Sequence, residues 1–434
     1  MGTDVGGRFV IVGAGTAYLP GIALAIAGHA DTFAGTTVVL QDIDAGTLEP
    51  MAALARRIIA ERGSPSIAVE TTGDLARALD GADIALTTFR PGGYPGRISD
   101  ERIPPAFGLA GCEAAGMGGF AMALRSVPAV AYVAQELARR GDRDAVLLDY
   151  VNPVGIVTDA VRRAVPLVTV IGLCDQYLGE ARFLAALLGV EPGRVSVDAA
   201  GANHCTWTRT VWLDGVDITA EVIGLLSGLD PASVDAYWAF VVRWAPRLGL
   251  IPSAYLRYYL EPGEALGEQR AAGRTRGEVV AAGLPALLAG YREALVAADT
   301  VPPVRRGDDG HGDLAVSVAA AIRSGSPAMV TVDVANTGGA ISGLAEDATV
   351  EAPCRLEGRT VVPAPARPLP ADAMAILEPV VRHQRLAADG ALTNDRTTLL
   401  EAILAHPLGP PRARAESMLD AILAANEWIQ QAAA

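Results

Sequence analysis

The chain opens on a short apolar run, Phe9 to Val12, then Gly13-Ala14-Gly15, a helical span ending near Gly28, and a second β-branched run, Thr36 to Leu40, closed by Asp42. Strand, glycine turn, helix and strand in this order predict a βαβ unit that receives a nucleotide at its first turn. Three further apolar runs, Asp83 to Thr88, Ala145 to Tyr150 and Leu167 to Leu173, alternate with helical spans such as Ala121 to Arg140. Runs with little polar alternation belong to strands covered on both faces, so the pattern predicts an α/β fold built on a doubly wound parallel sheet.

Past residue 174 the pattern changes. Short strands over Trp207 to Ile218, turning at Asp214-Gly215, precede long alanine-rich helical spans that include Gly277 to Ala298 and Arg414 to Gln431. Met329 to Gly358 reads as a β-rich insertion, and Pro363 to Pro370 as a proline-rich connector. The expectation is a Rossmann-like dinucleotide-binding domain over residues 1–173 and an α+β domain over 174–434. No internal repeat is visible. In the first turn, Gly13 and Gly15 let the backbone approach a pyrophosphate, Thr16 lies beside them, and Asp42 can hydrogen-bond a ribose. The third glycine of that fingerprint is replaced by Tyr18.

Composition narrows the chemistry. Of 434 residues 51% are hydrophobic, much of this alanine, and 5% aromatic. No uninterrupted apolar run reaches the length of a spanning helix, and MGTDVGGRF lacks a basic segment ahead of an apolar one. The expectation is therefore a cytoplasmic protein with no membrane partner. Cysteines at 112, 174, 205 and 354 are too few for a disulfide framework and leave thiols for chemistry. A net charge of −14 argues against nucleic acid, and an anionic small molecule would need a local cluster of arginines. All 35 positive side chains are arginine. Without lysine there is no Schiff base, Walker A loop, kinase-type clamp or Tyr/Lys dehydrogenase pair.

Several side chains could carry chemistry. Cys174 lies just past the run LVTVIGL, at the edge of the sheet where ligands of doubly wound folds collect, and His204 sits in a polar turn, Gly201-Ala202-Asn203-His204. Thiolate and imidazole together suit a divalent transition metal; the alternative is a buried thiol and a structural histidine. Asn152, before Pro153, can hydrogen-bond a nicotinamide ribose or a sugar hydroxyl, or can simply make a turn. SAYLRYYL places Tyr255 and Tyr258 on one helical face, with Tyr259 turned away; a phenol acidified by a cation can act as a base, and the alternative is packing. Arg90 and Arg276 are candidate phosphate ligands or solvated surface charges. Glu113 sits in a glycine-rich loop, 111–120, that permits close approach to a ligand.

Taken in order, the segments IVGAGTAYLP, FRPGG, DERIPPAFGLAGCEAAGMGGF, DYVNPVGIVTDA, IGLCD, AGANHCTW, IPSAYLRYYL, TRGEVV and VDVANTGGAISGLAEDATVE resemble glycoside hydrolase family 4, and within it the 6-phospho-β-glucosidases, along nearly the whole chain. The resemblance implies a two-domain architecture like that of lactate and malate dehydrogenases, NAD as a catalytic cofactor and a divalent metal, usually Mn2+. It implies NAD binding for residues 1–173 and catalysis, substrate binding and oligomer contacts for 174–434. The family is an exception to two-carboxylate hydrolysis. It oxidises the sugar at C3, removes the C2 proton, expels the C1 aglycone, adds water and returns the hydride. Carried over residue by residue, Cys174 and His204 match the metal ligands, Tyr255 or Tyr258 the base, and Arg90 and Arg276 the positions associated with a 6-phosphate. Glu113, Asn152 and Asn203 join the substrate-binding set, and Asp175 the catalytic one. A homodimer or homotetramer is implied.

The chain also departs from the family. Where the family block resembles Gln-Glu-Thr-Asn, this sequence has Cys112-Glu113-Ala114-Ala115, and Asp175 replaces the asparagine usual in β-type enzymes, as in the α-type. Asp308-Asp309-Gly310-His311 stands where relatives tend to have Gly-Ala-Tyr-Tyr. These changes leave open the sugar, the anomer and the 6-phosphate. A net NAD-dependent dehydrogenase and a non-catalytic NAD-binding sensor are the competing readings.

Overall fold

The computed structural model describes residues 6–63, 65–297, 306, 310–365 and 367–433; Ala298, Asp308 and Asp309 lie outside them. Six parallel strands form its first half: β1 (Arg8–Val12), β2 (Thr37–Gln41), β3 (Ala68–Thr72), β4 (Ile84–Thr87), β5 (Val146–Asp149) and β6 (Thr169–Gly172). The second half adds antiparallel strands: β7 (Val195–Ala202), β8 (Cys205–Leu213), β9 (Val216–Asp217), β10 (Ile251–Pro252), β11 (Ala328–Ala335), β12 (Thr349–Glu357) and β13 (Thr360–Pro363). All join one sheet in the order β10-β8-β7-β12-β11-β6-β5-β4-β1-β2-β3, with β13 on β12 and β9 on β8.

Alternation along each central strand divides the core. Phe9, Ile11 and Leu40 face one side with the helices Leu19–Gly28, Ala45–Arg62, Gln176–Leu188 and His311–Ser324. Val10, Val12 and Val39 face the other, with Gly116–Arg140, Val154–Ala164, Arg396–Ala405 and Arg412–Ala433. This is the doubly wound arrangement, and the apolar runs are strands buried on both faces.

The expected β-rich insertion has a central place: β11 and β12 bridge the parallel half to the β7–β8 hairpin. The two joints are single pairs, Asp333 opposite Gly172 and Glu351 opposite Gly201. Gly172 is required there, because a Cβ would lie 2.3 Å from Thr158 Oγ1 and 2.8 Å from Asp333 Cβ.

Among the described residues, two helices reach the length and mean hydropathy of a membrane span, although neither is an uninterrupted apolar run. Gly116–Arg140 has a mean hydropathy of 1.3 with 78% of that window buried, as a core helix would. Arg276–Ala297 has 1.4 with only 11% of that window buried; Val279 and Val296 are exposed, while Leu284, Leu287, Leu288 and Leu295 pack against the core. All four cysteines are free thiols.

Candidate active site

The carboxyl ends of the central strands open into a cavity of about 1270 Å³. Cys174 follows β6, and His204 sits in the tight turn between β7 and β8 with a positive φ of 60°. The turn brings His204 Nε2 to 3.4 Å from Cys174 Sγ. Its other ring nitrogen, Nδ1, donates to the Ala114 carbonyl at 3.1 Å. A carbonyl can only accept, so the proton is on Nδ1 and the Nε2 lone pair faces the thiol. Burial lowers the His204 pKa to about 4, which keeps the ring neutral, and pushes the Cys174 thiol well up.

The turn is anchored from below. Asn203 donates through Nδ2 to Glu351 Oε2 at 2.7 Å and more weakly to Asp333 Oδ2 at 3.4 Å. Asp333 and Glu351 are buried partners in register on β11 and β12. Burial raises Asp333 far above the usual carboxylate range and Glu351 to about 7. Each buried carboxylate disfavours ionisation of the other. Asn203 thus supports the site wall and does not line the cavity, unlike the position expected of a substrate ligand.

Tyr255 comes from a distant segment. β10 pairs with β8, Pro252 opposite Trp207, and the chain then turns through Ser253, whose hydroxyl accepts from the Tyr255 amide. This carries the Tyr255 ring onto that of His204, centroids 4.0 Å apart and planes inclined by 12°. Tyr258 lies one ring farther out, 6.3 Å from Tyr255. Tyr237 meets Tyr255 edge-on at 5.9 Å and also lines the cavity. Burial pushes the Tyr255 phenol up, as do the neighbouring phenols of Tyr237 and Tyr258 and thiols of Cys112 and Cys174.

The opposite wall is ionic. Glu113 is held by Arg90, and by Arg97 at 2.8 Å; Arg97 also reaches Glu101 at 2.9 Å. Burial, with the charge of Arg97, brings the Arg90 pKa down to about 10. Arg90 therefore lines the cavity as one member of a salt-bridge network. Arg276 opens the exposed helix at the rim, near Arg270 and Arg274. Asn152 lines the cavity with a buried Oδ1 that has no partner among the described residues.

The cofactor candidates gather apart from these, at the β1 turn. Gly13 has φ +88°, and a Cβ on Gly15 would lie 2.4 Å from Thr47 Oγ1. The Gly15 amide donates to Asp42 Oδ2 at 2.8 Å, and Thr16 Oγ1 accepts from the Tyr18 amide. Tyr18, in place of the third glycine, reaches the cavity. It stacks on His311, a residue not foreseen from sequence, whose Nδ1 lies 3.2 Å from Asp175 Oδ2. The only sign of it was its place in a departure from the family.

Residues 8–190 match the profile described as family 4 glycosyl hydrolase, and residues 199–409 that of the family 4 glycosyl hydrolase C-terminal domain. The chain belongs to glycoside hydrolase family 4. As a family 4 enzyme it is an O-glycosyl hydrolase with a Rossmann-like mixed sheet. The first profile ends just past the helix Gln176–Leu188 and the second begins within β7. A Bacillus subtilis protein called "Probable 6-phospho-beta-glucosidase" is 31% identical over 430 residues, 97% of this chain and 96% of that one. The Thermotoga maritima 6-phospho-beta glucosidase, solved with manganese, NAD+ and glucose-6-phosphate, is 26% identical with a TM-score of 0.85, covering 97% of this chain and 99% of that one. A 6-phospho-alpha-glucosidase from gut microorganisms, solved with NAD and Mn2+, is 26% identical with a TM-score of 0.87, covering 97% and 98%.

Proposed function

We propose that the protein hydrolyses a 6-phospho-β-glucoside with NAD and a divalent cation, manganese, as cofactors. The observation that carries this reading is the Cys174–His204 pair, its imidazole tautomer fixed so that lone pair and thiol converge beside the Tyr255 ring. Sulfur and neutral imidazole fit a first-row cation, and the Gly13, Gly15, Thr16 and Asp42 turn, closed to any Cβ at Gly15, fits the dinucleotide. When bound, NAD would supply a hydride acceptor for sugar C3 and the cation a Lewis acid that makes the C2 proton acidic.

The chain's own groups do the rest. Tyr255 is the base at C2; its phenol is pushed up by burial, an effect that a cation held by Cys174 and His204 would oppose. Tyr258 is the second choice, since it stands one ring away. Asn152 offers its unpartnered Oδ1 to a sugar or ribose hydroxyl. The phosphate is met at the rim by Arg276, with Arg270 and Arg274 nearby, while Arg90 is engaged with Glu113 and shapes the wall. Residues 1–173 supply the dinucleotide cleft and 174–434 most of the substrate wall. Free thiols and a phosphorylated small-molecule substrate fit a cytoplasmic enzyme, and the exposed Val279 and Val296 of Arg276–Ala297 fit a contact in a homodimer or homotetramer.

The α anomer is a second reading, favoured by the carboxylate of Asp175 in the cavity. The test is hydrolysis of aryl α- and β-glucosides, with and without 6-phosphate, in the presence of NAD, Mn2+ and a reductant. Release of phenol from the phosphorylated β-glucoside at constant nicotinamide absorbance is expected. Net accumulation of NADH, or equal rates without the phosphate, would overturn it.

A further inference from the structure

We propose that His311 is a positioning residue that fixes the Asp175 carboxylate in the cavity; this rests on the expectation, from the family resemblance, that Asp175 is catalytic. Asp175 stands at the N-cap of the helix Gln176–Leu188, where an aspartate usually turns its side chain back to the helix amides, yet it makes no such bond. Its Oδ2 instead lies 3.2 Å from His311 Nδ1. An ionised carboxylate only accepts, so Nδ1 donates, and the direction of this bond sets the direction of the carboxylate.

The imidazole is unusually well held for this task. Its ring lies between those of Tyr18, at 4.2 Å and 26°, and Tyr150, at 3.8 Å and 24°. On the far side of Tyr18 sits the Arg306 guanidinium, 4.9 Å from the ring centroid, donating to the Tyr94 hydroxyl at 3.1 Å. A flat ring clamped on both faces cannot rotate out of plane, so the donor keeps one heading without an entropy loss when the cavity fills. The backbone is pinned as well: a Cβ on Gly312 would lie 2.7 Å from the Gly21 backbone, so the helix His311–Ser324 starts hard against Leu19–Gly28. A clamp for packing alone would need no nitrogen facing the carboxylate that follows Cys174 in the chain.

The experiment separates the ring from its nitrogen. His311→Phe keeps the stack and removes the donor, whereas His311→Asn places an amide donor near the Nδ1 position. His311→Phe is expected to lower kcat about tenfold to a hundredfold, with KM, NAD affinity and Tm changed less than about twofold or about 2 °C. His311→Asn should recover most of the loss, and His311→Phe should cost nothing further in an Asp175→Asn background. Equal losses in the two His311 variants, an effect confined to KM, or full additivity with Asp175→Asn would overturn the proposal. If Asp175→Asn alone is fully active, the catalytic reading of Asp175 falls first and takes this one with it; if Asp175→Asn is impaired but His311→Phe is not, only the positioning role falls. Should His311→Phe fail to fold, 15N-histidine spectra decide. The His311 Nδ1–H signal must move in Asp175→Asn, and an unmoved signal would contradict the bond.

Discussion

The rings of His204 and Tyr255 lie face to face, 4.0 Å apart, brought together by the pairing of β10 with β8. The stack ties the candidate base to the candidate metal ligand, so the two functions can be separated by removing one oxygen. Tyr255→Phe keeps the ring and is expected to lower kcat at least about a hundredfold, with Mn2+ affinity and Tm unchanged. Tyr258→Phe should cost less than about tenfold. Steady-state kinetics on both variants check this, and the reverse ranking would move the base to Tyr258.

The anchor beneath His204 makes a separate prediction about the cation. Glu351→Ala removes the acceptor for Asn203 and frees the turn that aims His204. Mn2+ affinity, read by calorimetry, should fall about tenfold to a hundredfold, the usual scale for a group that orients a ligand. Glu351→Gln keeps an acceptor oxygen and should remain within a few-fold of the parent. An unchanged affinity in Glu351→Ala would show that the turn holds itself.

Two arginines that look alike in sequence should behave differently. Arg276→Ala should raise KM about tenfold or more for a 6-phosphoglucoside and leave the unphosphorylated analogue unaffected. Arg90→Ala breaks into the network with Glu113 and Arg97, so it should impair both substrates and lower Tm. A phosphate-selective effect of Arg90→Ala would return the phosphate site to that residue.

Glu180 is buried on the helix after Cys174, and burial raises its pKa from 4.5 to about 8. At neutral pH the folded chain keeps a proton there that the unfolded chain has released. The group's contribution to stability is therefore full below about pH 4.5 and is lost as pH rises toward about 8. Glu180→Gln removes that loss, and its Tm advantage over the parent should be larger at pH 8 than at pH 5. The same difference in Tm at both pH values would show that Glu180 does not titrate in this window.

Much of this was legible in the chain. The apolar runs mark β1, β2, β4, β5 and β6 to within a residue or two, because strands buried on both faces have no polar alternation to blur them. β3, reading Ala-Val-Glu-Thr-Thr at the sheet's edge, is half exposed and carries no such signal. Cys174, His204, Tyr255, Asn152 and Glu113 were named from sequence and do converge on one cavity. What sequence could not convey is long-range register. Asp333 and Glu351 read as ordinary polar positions in a β-rich stretch until Gly172 and Gly201 are seen opposite them. Arg90 looks free until Glu113 folds back onto it. His311 is one imidazole in a polar loop until Tyr18, Tyr150 and Asp175 close around it.

The central claim is that the glycosidic bond is broken by oxidation and elimination around the Cys174–His204–Tyr255 cluster. Hydrolysis of an aryl 6-phospho-β-glucoside in deuterated water, with the sugar product read by NMR, tests this most directly. Deuterium at C2 of the product, with no net change in NADH, is the predicted result. A product that keeps its original hydrogen at C2 would contradict the account.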